Sequence, residues 1–391
     1  MSGIIVNQRS RIFHGHEWVY GTEVKKTLGD PQPGSVVALM DQRNRPLGSA
    51  IYNPQSQIIA RRFSRRKQEL DADFFKRRIE RAIAYREKLP GISPLLCRVV
   101  WSESDGLPGV IIDRYGDFVV LQTLTLAMDQ RKDLLADAIQ ETLAPLGIVE
   151  RNDSPIRKAE GMTLHTGILR GTPPEPFTVP FGRMRFLVDL LGGQKTGLYL
   201  DQLENYKIVA EFSRGRRVLD CFTNQGGFAI ASALAGATEV TAVDVSEPAI
   251  AAAKANAEAS GAPDIQFLAE NAFDFLKKEE SEGKKYDLIV LDPPSFTRNK
   301  KSLRDALRGY KEIHLRALKM LEPGGILATF SCSHHVGAGE FRGMICDSSV
   351  DSHRNLRQRA TFTQRGDHPV NPLLPETEYL RGNVFEVIGA W

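Results

Sequence analysis

The 391-residue sequence is poor in cysteine, with four residues: Cys97, Cys221, Cys332 and Cys346. None of their spacings is the C-x-x-C pair of a zinc knuckle, and four cysteines in a chain of this length do not make a disulfide framework. No apolar run approaches the roughly 18 residues of a membrane-spanning helix. The first residues also lack the charged and then apolar regions of a secretory signal. These absences predict a cytoplasmic protein with no membrane partner.

Net charge is also small, at +3 for the whole chain at pH 7. Its distribution is uneven, because the first 90 residues hold 17 Lys and Arg against 9 Asp and Glu. That segment carries +8, so the rest of the chain carries −5. A basic end on a mildly acidic remainder raises the expectation of a nucleic-acid partner at that end.

Shifts in composition predict three domains, over 1–70, 71–172 and 173–391. In the first, short apolar stretches alternate with Gly, Pro and Asn turns, which predicts a small β-barrel. The second mixes helical and strand-like segments and is predicted to be a small α+β domain. The proline-rich stretch Thr172–Pro176 is the predicted linker to the third.

The predicted barrel ends in a basic run that contains Arg61, Arg62, Arg65 and Arg66. Two interpretations remain open. The run is either a solvated strand end or a direct contact to nucleic-acid phosphates. On the second interpretation these four arginines are the candidate nucleic-acid-binding residues.

From about residue 177 onward, predicted strands and helices alternate. The predicted strands are Arg217–Phe222, Glu239–Asp244, Ile265–Leu268, Tyr286–Asp292 and Gly325–Phe330. The clearest predicted helices are Glu247–Ser260 and Leu303–Leu321, and two earlier ones cover 71–88 and 129–144. Strand–helix alternation implies right-handed crossovers and a mostly parallel sheet, so the fold class is α/β.

The first of these strands leads into a glycine turn between Asp220 and Phe228. In doubly wound sheets ligands bind at the carboxyl ends of strands, where residues such as Gly226 and Gly227 let them approach the backbone. Asp244 closes the next strand, 24 residues after Asp220, and an acidic residue there suits a ribose diol. The turn is not G-x-G-x-x-G, so the dinucleotide fingerprint is absent. The glycine turn alone could be structural, but with Asp244 it predicts a nucleoside-containing cofactor.

Two further strand ends carry candidate catalytic residues. The fourth strand ends in an Asp-Pro-Pro turn, whose prolines form a rigid loop that presents Asp292 at the ligand edge. Cys332 follows the fifth strand among polar residues, which favours a nucleophile over a buried structural thiol. Cys221, inside the glycine turn, is expected to be structural. His334 and His335 have no acidic partner at metal spacing, so no metal site is expected.

Six segments together resemble the class I S-adenosylmethionine-dependent methyltransferases: Ser102–Gly109, Thr196–Gln202, Gly226–Phe228, Asp292–Pro294, Arg308–Lys311 and Phe330–Ser333. More closely, the sequence resembles the bacterial large-subunit rRNA 5-methylcytosine methyltransferases with an N-terminal PUA domain, the RlmI-like group. The resemblance covers nearly the whole chain. It implies a PUA β-barrel, a small α+β domain and a Rossmann-like catalytic domain with seven strands, the last antiparallel and near 383–388. It also implies S-adenosylmethionine as cofactor and 23S rRNA as partner, and a homodimer is compatible with it.

The resemblance further implies roles for individual residues. Those expected to bind the cofactor are Gln202, Asp220, Phe222, Gly226, Gly227, Asp244, Val245, Asn271 and Asp292. Those expected to bind RNA are Lys195 and Tyr310, besides the four arginines. Two positions depart from the family: Leu203 replaces an arginine that could hold the cofactor carboxylate, and Asn271 replaces an aspartate. An altered cofactor affinity with retained binding is therefore expected.

The chemistry follows as a hypothesis. Cys332 attacks carbon 6 of a cytosine and forms a covalent adduct, while Asp292 binds the polar edge of the base. Ser295 stands where related RNA enzymes often carry a second cysteine, so another base, such as water, removes the carbon-5 hydrogen. Two alternatives stay open: methylation of an exocyclic amino group of adenine or guanine, and a non-catalytic RNA-binding assembly factor with a degenerate cofactor pocket.

Overall fold

The computed structural model describes residues 2–172, 175–193, 196–297, 302–333 and 335–390. They group into two compact units. The first unit comprises Met1–Phe177, Val188–Leu200 and Gly366–Thr377, and the second comprises Thr178–Leu187, Asp201–Arg365 and Glu378–Trp391. The predicted linker is described only in part, because Pro173 and Pro174 lie outside the described residues. The division into three domains stays a prediction.

The first unit begins with a six-stranded sheet. Its strands are β1 (Gly3–Val6), β2 (Trp18–Tyr20), β3 (Val24–Leu28), β4 (Val36–Met40), β5 (Pro46–Tyr52) and β6 (Ile58–Ser64), in the order β2-β6-β5-β4-β1-β3. Burial alternates along β4, so that Val37 and Leu39 enter a core shared with Ile4 and Val19. Such two-residue alternation is typical of a sheet with one solvated face. The prediction that the start of the chain is rich in β-strands is confirmed.

A five-stranded sheet with packed helices completes the first unit. Its strands are β7 (Leu96–Trp101), β8 (Val110–Tyr115), β9 (Phe118–Thr123), β10 (Gly147–Asn152) and β11 (His165–Gly171), in the order β11-β10-β9-β8-β7. The helices are α1 (Ala72–Glu87), α2 (Leu126–Asp129), α3 (Lys132–Leu143) and α4 (Ile156–Ala159). Helix α1 begins where the Asp71 carboxylate accepts a hydrogen bond from the Phe74 amide at 2.8 Å, a typical N-cap. Its apolar face, with Phe75 and Ile79, packs into the core of this region.

Among the described residues, the second unit holds a hairpin and a seven-stranded sheet with six α-helices. The hairpin strands are β12 (Phe177–Phe181) and β13 (Met184–Val188), and the sheet strands are β14 (Arg217–Cys221), β15 (Glu239–Asp244), β16 (Gln266–Ala269), β17 (Tyr286–Leu291), β18 (Leu321–Ser331), β19 (Arg354–Thr363) and β20 (Arg381–Ala390). The helices are α5 (Leu203–Ala210), α6 (Gly227–Leu234), α7 (Glu247–Ser260), α8 (Ala272–Ser281), α9 (Leu303–Met320) and α10 (Ala338–Asp351).

The sheet order is β16-β15-β14-β17-β18-β20-β19. Neighbours from β16 to β18 pair in parallel, whereas β20 is antiparallel to both β18 and β19. The predicted α/β fold with an antiparallel last strand is thereby confirmed. Because the parallel strands end at one edge, the residues that follow β14, β15, β17 and β18 are brought together there.

One strand of this sheet was not predicted. Strand β19 lies at the sheet edge, and Arg357, Gln358 and Arg359 in its middle are exposed. Charged side chains protect an edge strand from pairing with other chains, but they also erase the apolar signal of a strand. Among the described residues, no helix combines the length and the apolar character needed to cross a membrane.

Candidate active site

Strand β14 ends where the strand order reverses, between β15 and β17. Asp220 near its end is fully buried. Its Oδ2 accepts hydrogen bonds from the Thr223 hydroxyl at 2.6 Å and the Ala229 amide at 3.0 Å, whereas its Oδ1 has no hydrogen-bond partner among the described residues. Burial raises the pKa of Asp220 to about 7, and the carboxylates of Asp292 and Asp244 add to the shift. The open oxygen is suited to a donor or cation supplied by a ligand.

The loop after β14 has an unusual backbone. Phe222, Asn224 and Gly226 adopt φ angles of 66°, 49° and 85°, in the left-handed region that residues with a Cβ rarely enter. Such conformations cluster at ligand sites. Gly227 has a packing role instead, because an added Cβ would lie 2.3 Å from the ring of Tyr206. Of the two glycines, only Gly226 is required by the loop conformation itself.

The rim next to this loop is formed by the end of β15. Asp244 accepts hydrogen bonds from the backbone amides of Asn224 and Ser246, each at 3.0 Å. Each carboxylate oxygen can accept a second hydrogen bond, so Asp244 is held in place and can still bind two hydroxyl groups. Val245 beside it exposes 70% of its surface, which offers an apolar contact to a flat ring.

The side-chain oxygen of Asn271 is used within the protein. Its side-chain oxygen caps helix α8 by accepting hydrogen bonds from the amides of Phe273 at 2.9 Å and Asp274 at 3.4 Å. Both lone pairs of that oxygen are engaged, so the amide NH₂ is the group left for a ligand. An adenine would therefore be contacted here through a ring nitrogen that accepts, not through its amino group.

Two buried amides orient Asp292. The Gln202 side chain donates a hydrogen bond to Asp292 Oδ2 at 2.9 Å, and its own oxygen accepts one from Asn205 Nδ2 at 2.7 Å. Both amides lie at the start of α5 and are buried. Gln202 thus orients the Asp292 carboxyl group through a hydrogen bond, and the sequence alone did not predict this contact. The neighbouring Leu203, which the resemblance marks as a departure from the family, is fully buried and supplies no charge.

Cys332 follows β18 and is half-buried. The loop that carries it is tied to the Asp-Pro-Pro turn, because the Ser333 and Ser295 hydroxyls are 2.9 Å apart. The Tyr310 hydroxyl lies 3.0 Å from the same Ser333 oxygen. Burial raises the pKa of Tyr310, and the charges of Cys332 and Asp292 raise it further. A contact between hydroxyl groups therefore joins the two loops that carry the predicted catalytic residues.

The structure corrects the role predicted for Tyr310. The side chain has no exposed surface, which rules out the expected contact with RNA. Its carbonyl accepts a hydrogen bond from His314 Nδ1 at 2.6 Å, and His314 Nε2 accepts one from the Thr329 hydroxyl at 2.7 Å. Burial lowers the pKa of His314 to about 4, so the imidazole is neutral at pH 7. The four-residue spacing of Tyr310 and His314 on α9 was the only sequence signal of this network.

The other cysteines differ from Cys332 in their surroundings. Cys97 and Cys221 are buried, and Cys346 is exposed on α10. Burial raises the pKa of Cys221 well above its ordinary range, which makes it a poor nucleophile. His334 lies outside the described residues. In the part of the chain that the structure describes, no three His, Cys, Asp or Glu side chains form a group that could hold a metal ion.

The structure also corrects half of the basic run that contains Arg61, Arg62, Arg65 and Arg66, because the first two lie within β6. Arg61 lies 2.7 Å from Glu103, and Arg62 lies 2.5 Å from Glu17. Both arginines are buried, with 8% and 6% of their surface exposed. They stabilise the first unit through ion pairs and are not available for direct phosphate contact.

The structure neither confirms nor corrects the remaining predicted RNA contacts. Arg65 and Arg66 are exposed, so their predicted role stays open. Lys195 lies outside the described residues.

The residues at the sheet edge fit S-adenosylmethionine, a cation with a ribose and an adenine. Asp220, Asp244 and Asp292 place three carboxyl groups at the edge, and no donor among the described residues reaches the open Asp220 oxygen. Val245 offers an apolar surface next to the carboxylate suited to a ribose. The donor set thus matches the charge and the groups of this cofactor.

Comparison with known proteins agrees. A family profile described as S-adenosylmethionine-dependent methyltransferase matches residues 163–342, and one described as PUA-like domain matches residues 7–65. A structure from Streptococcus mutans described as a SAM-dependent methyltransferase has a TM-score of 0.84 at 22% identity and covers 99% of this chain and 100% of that chain. Another, SMU.776 complexed with SAH, has a TM-score of 0.85 at 23% identity, with the same coverage. The fold and the site define an S-adenosylmethionine-dependent methyltransferase with an N-terminal PUA-like domain.

Closer relatives identify the family. The chain is 38% identical to the Ribosomal RNA large subunit methyltransferase I of Photobacterium profundum, over 94% of each chain. It is 38% identical to the protein of the same name from Erwinia tasmaniensis, over 95% of this chain and 96% of that protein. The chain belongs to the ribosomal RNA large subunit methyltransferase I family.

Proposed function

We propose that the protein methylates carbon 5 of a cytosine in large-subunit ribosomal RNA through a covalent adduct with Cys332. The RNA class is supported by the relatives, which are named for methylation of large-subunit ribosomal RNA. The atom is supported by one observation: a half-buried cysteine shares a site with Asp292, and hydroxyl contacts join their loops. A transfer to an amino group needs no such thiol.

The cofactor side of the site is assigned to the edge formed by β14 and β15. We propose that Asp220 binds a cationic group of S-adenosylmethionine and that Asp244 binds the ribose hydroxyls. Phe222, Gly226 and Val245 form the surface around them. When bound, the cofactor supplies an electrophilic methyl group. Asn271 contributes its amide NH₂, since its oxygen caps α8.

The base side is assigned to Cys332 and Asp292. The Cys332 thiolate forms a bond to carbon 6 of cytosine, and the electrons of the carbon 5–carbon 6 double bond make carbon 5 nucleophilic. Asp292, oriented by Gln202, accepts a hydrogen bond from the amino group of the base and, carrying a proton, donates it to nitrogen 3, which stabilises the negative charge that develops in the ring. After carbon 5 has been methylated, a water removes its hydrogen. The freed electron pair restores the double bond, and the thiolate leaves. The proton returns to Asp292 when the thiolate leaves.

The target base must leave the stack to reach this edge of the sheet, so the substrate is single-stranded or flipped out. The proposed division of labour gives RNA binding to the segment 1–70 and chemistry to 173–391, with 71–172 between them. Arg65 and Arg66 are the predicted contacts of the first segment that remain exposed.

The test transfers labelled methyl groups from S-adenosylmethionine to ribosomal RNA and identifies the product nucleoside by mass spectrometry. We expect 5-methylcytosine from the wild-type protein and no product from Cys332→Ala, with cofactor binding by calorimetry unchanged. The matched control is Cys346→Ala, which removes an exposed cysteine of α10 and should keep full activity. RNA containing 5-fluorocytosine should trap a covalent adduct on Cys332, because fluorine cannot leave as the hydrogen does.

The alternatives give other results. Methylation by Cys332→Ala, with an amino-methylated adenine or guanine as product, would support the exocyclic-amino enzyme and contradict the covalent scheme. A wild-type protein that binds RNA but no S-adenosylmethionine would support the assembly factor.

A further inference from the structure

A groove of about 980 Å³ opens in the first unit. Its walls come from the end of β6, from α1, from the short 3-10 helix Ser102–Asp105 and from residues 369–371. Five of its lining side chains are arginines: Arg62, Arg65, Arg66, Arg78 and Arg81. The groove therefore joins the basic run after the barrel to a face of the following helix.

Three acidic side chains also line the groove, but each is already bound to an arginine. The pairs are Glu17 with Arg62 at 2.5 Å, Glu103 with Arg61 at 2.7 Å, and Asp105 with Arg86 at 2.6 Å. Of the other arginines that line the groove, Arg65 also contacts one of these carboxylates, at 3.5 Å from Glu17. Within the described ranges, no carboxylate oxygen lies within 4.0 Å of the guanidinium groups of Arg66, Arg78 or Arg81. The groove thus has a surplus of positive charge that the acidic residues do not neutralise.

Arg78 is held in position within this wall. Its Nη2 donates a hydrogen bond to the Phe63 carbonyl at 3.0 Å, and its guanidinium lies 5.2 Å from the centre of the Phe74 ring. Gly106 leaves room for it, because a Cβ there would lie 2.9 Å from Arg78 Nη1. Burial lowers the pKa of Arg78, and the like charge of Arg81 lowers it further. A fixed, half-buried cation beside another cation is costly unless an anion joins it.

We propose that this groove binds the phosphodiester backbone of RNA, with Arg78 and Arg81 of α1 contacting phosphates beside Arg65 and Arg66. The nature of the RNA rests on the proposed function. Residues three apart on a helix lie on one face, about 5–6 Å apart at their Cβ atoms, so α1 presents two cations side by side. Cations spread over two elements along an open groove suit a polyanion, whereas a small anion is met by converging donors.

The test measures the affinity for a fluorescent ribosomal RNA fragment by anisotropy over a range of KCl concentrations. The variants are Arg78→Gln, Arg81→Gln and the double variant. The matched control is Arg77→Gln, since Arg77 is an exposed arginine of α1 that pairs with Asp73 and does not line the groove. Thermal unfolding of all four variants verifies that each is folded.

Each lost phosphate contact reduces the slope of log K against log salt by about 0.7–0.9. At about 0.15 M salt this corresponds to a roughly four- to five-fold weaker affinity for each single variant and roughly twenty-fold for the double variant. Arg77→Gln should keep the wild-type slope and affinity. Cofactor binding should be unchanged in every variant, because none of the substitutions lies in the second unit.

Equal slopes for the groove variants and Arg77→Gln would overturn the proposal. So would weakened binding of inorganic phosphate to the variants together with unchanged RNA binding, because the groove would then be a small-anion site. The proposed function is tested independently of the groove. A wild-type protein that transfers no methyl group to ribosomal RNA would refute the function, while the salt slopes would still decide whether the groove binds RNA.

Discussion

Affinity for S-adenosylmethionine should depend on pH through Asp220. Its pKa is about 7 because the carboxyl is buried beside two other carboxylates. About one tenth of the protein then carries an ionised Asp220 at pH 6, and about nine tenths at pH 8. If the cationic cofactor binds the ionised form, its affinity falls about tenfold from pH 8 to pH 6, which is about 1.4 kcal/mol. Binding at pH 7 should release about half a proton per site.

Calorimetry in two buffers of different ionisation enthalpy measures both the affinity and the released proton. Asp220→Asn should bind more weakly at every pH and lose the pH dependence. Asp244→Asn should bind the cofactor more weakly but retain the pH dependence, because Asp220 is intact. Two results would refute the proposal that Asp220 binds a cationic group of the cofactor. One is a wild-type affinity that is constant from pH 6 to 8, and the other is an affinity of Asp220→Asn that depends on pH as strongly as that of the wild type.

The same carboxyl affects the stability of the cofactor-free protein. In the unfolded chain its pKa is near 3.8, so between about pH 4 and 7 the folded state holds the proton more tightly. The stabilisation from this proton is present at low pH and is lost as the pH rises through 7. Wild-type protein should therefore lose stability relative to Asp220→Asn between pH 5 and 7, which thermal unfolding can measure.

Three other predictions concern residues around the site and the barrel. The pKa of His314 is lowered to about 4, so the unfolded chain binds the proton more tightly, and the contribution of this site to the free energy of unfolding should fall by about 2 kcal/mol from pH 7 to pH 5. Because Asp220 titrates in the same range with the opposite sign, denaturant titration should show this change as a difference between wild-type protein and His314→Gln. Tyr310→Phe removes a buried hydroxyl that contacts Ser333 and should cost about 1–3 kcal/mol of stability. It should also lower kcat while the cofactor affinity stays unchanged, and an unchanged kcat would show that this hydroxyl does not position the Cys332 loop. Arg61→Leu leaves Glu103 buried and unpaired, which should cost about 3–5 kcal/mol while the RNA affinity of the folded fraction stays the same.

The central sheet was predictable because its parallel strands are buried on both faces. Strand β17, Tyr-Asp-Leu-Ile-Val-Leu, is almost entirely buried and reads as a continuous apolar run. Asp292 follows β17, Asp220 lies near the end of β14 and Asp244 ends β15, and the topology of such sheets brings those ends together. Hence Asp220, Asp244 and Asp292 could be placed at one edge before the structure was known. Edge strand β19 could not, because its exposed charges hide the alternation.

Long-range contacts decided what the sequence left open. Arg61 and Arg62 are indistinguishable in sequence from Arg65 and Arg66, but the first two are buried and pair with Glu103 and Glu17, 42 and 45 residues away. The burial of Tyr310 likewise depends on serines 21 and 23 residues later. No local pattern encodes contacts of this kind.

The place of β20 in the sheet has a consequence for how the protein matures on the ribosome. Residues 381–390 are synthesised after every other strand of the sheet, yet β20 lies between β18 and β19. A nascent chain that lacks them leaves β18 with an unpaired edge, and exposed edges promote aggregation. The catalytic sheet therefore closes only after the last of its strands has left the ribosome. Deletion of residues 381–390, which form β20, should leave the sheet incomplete and the protein insoluble.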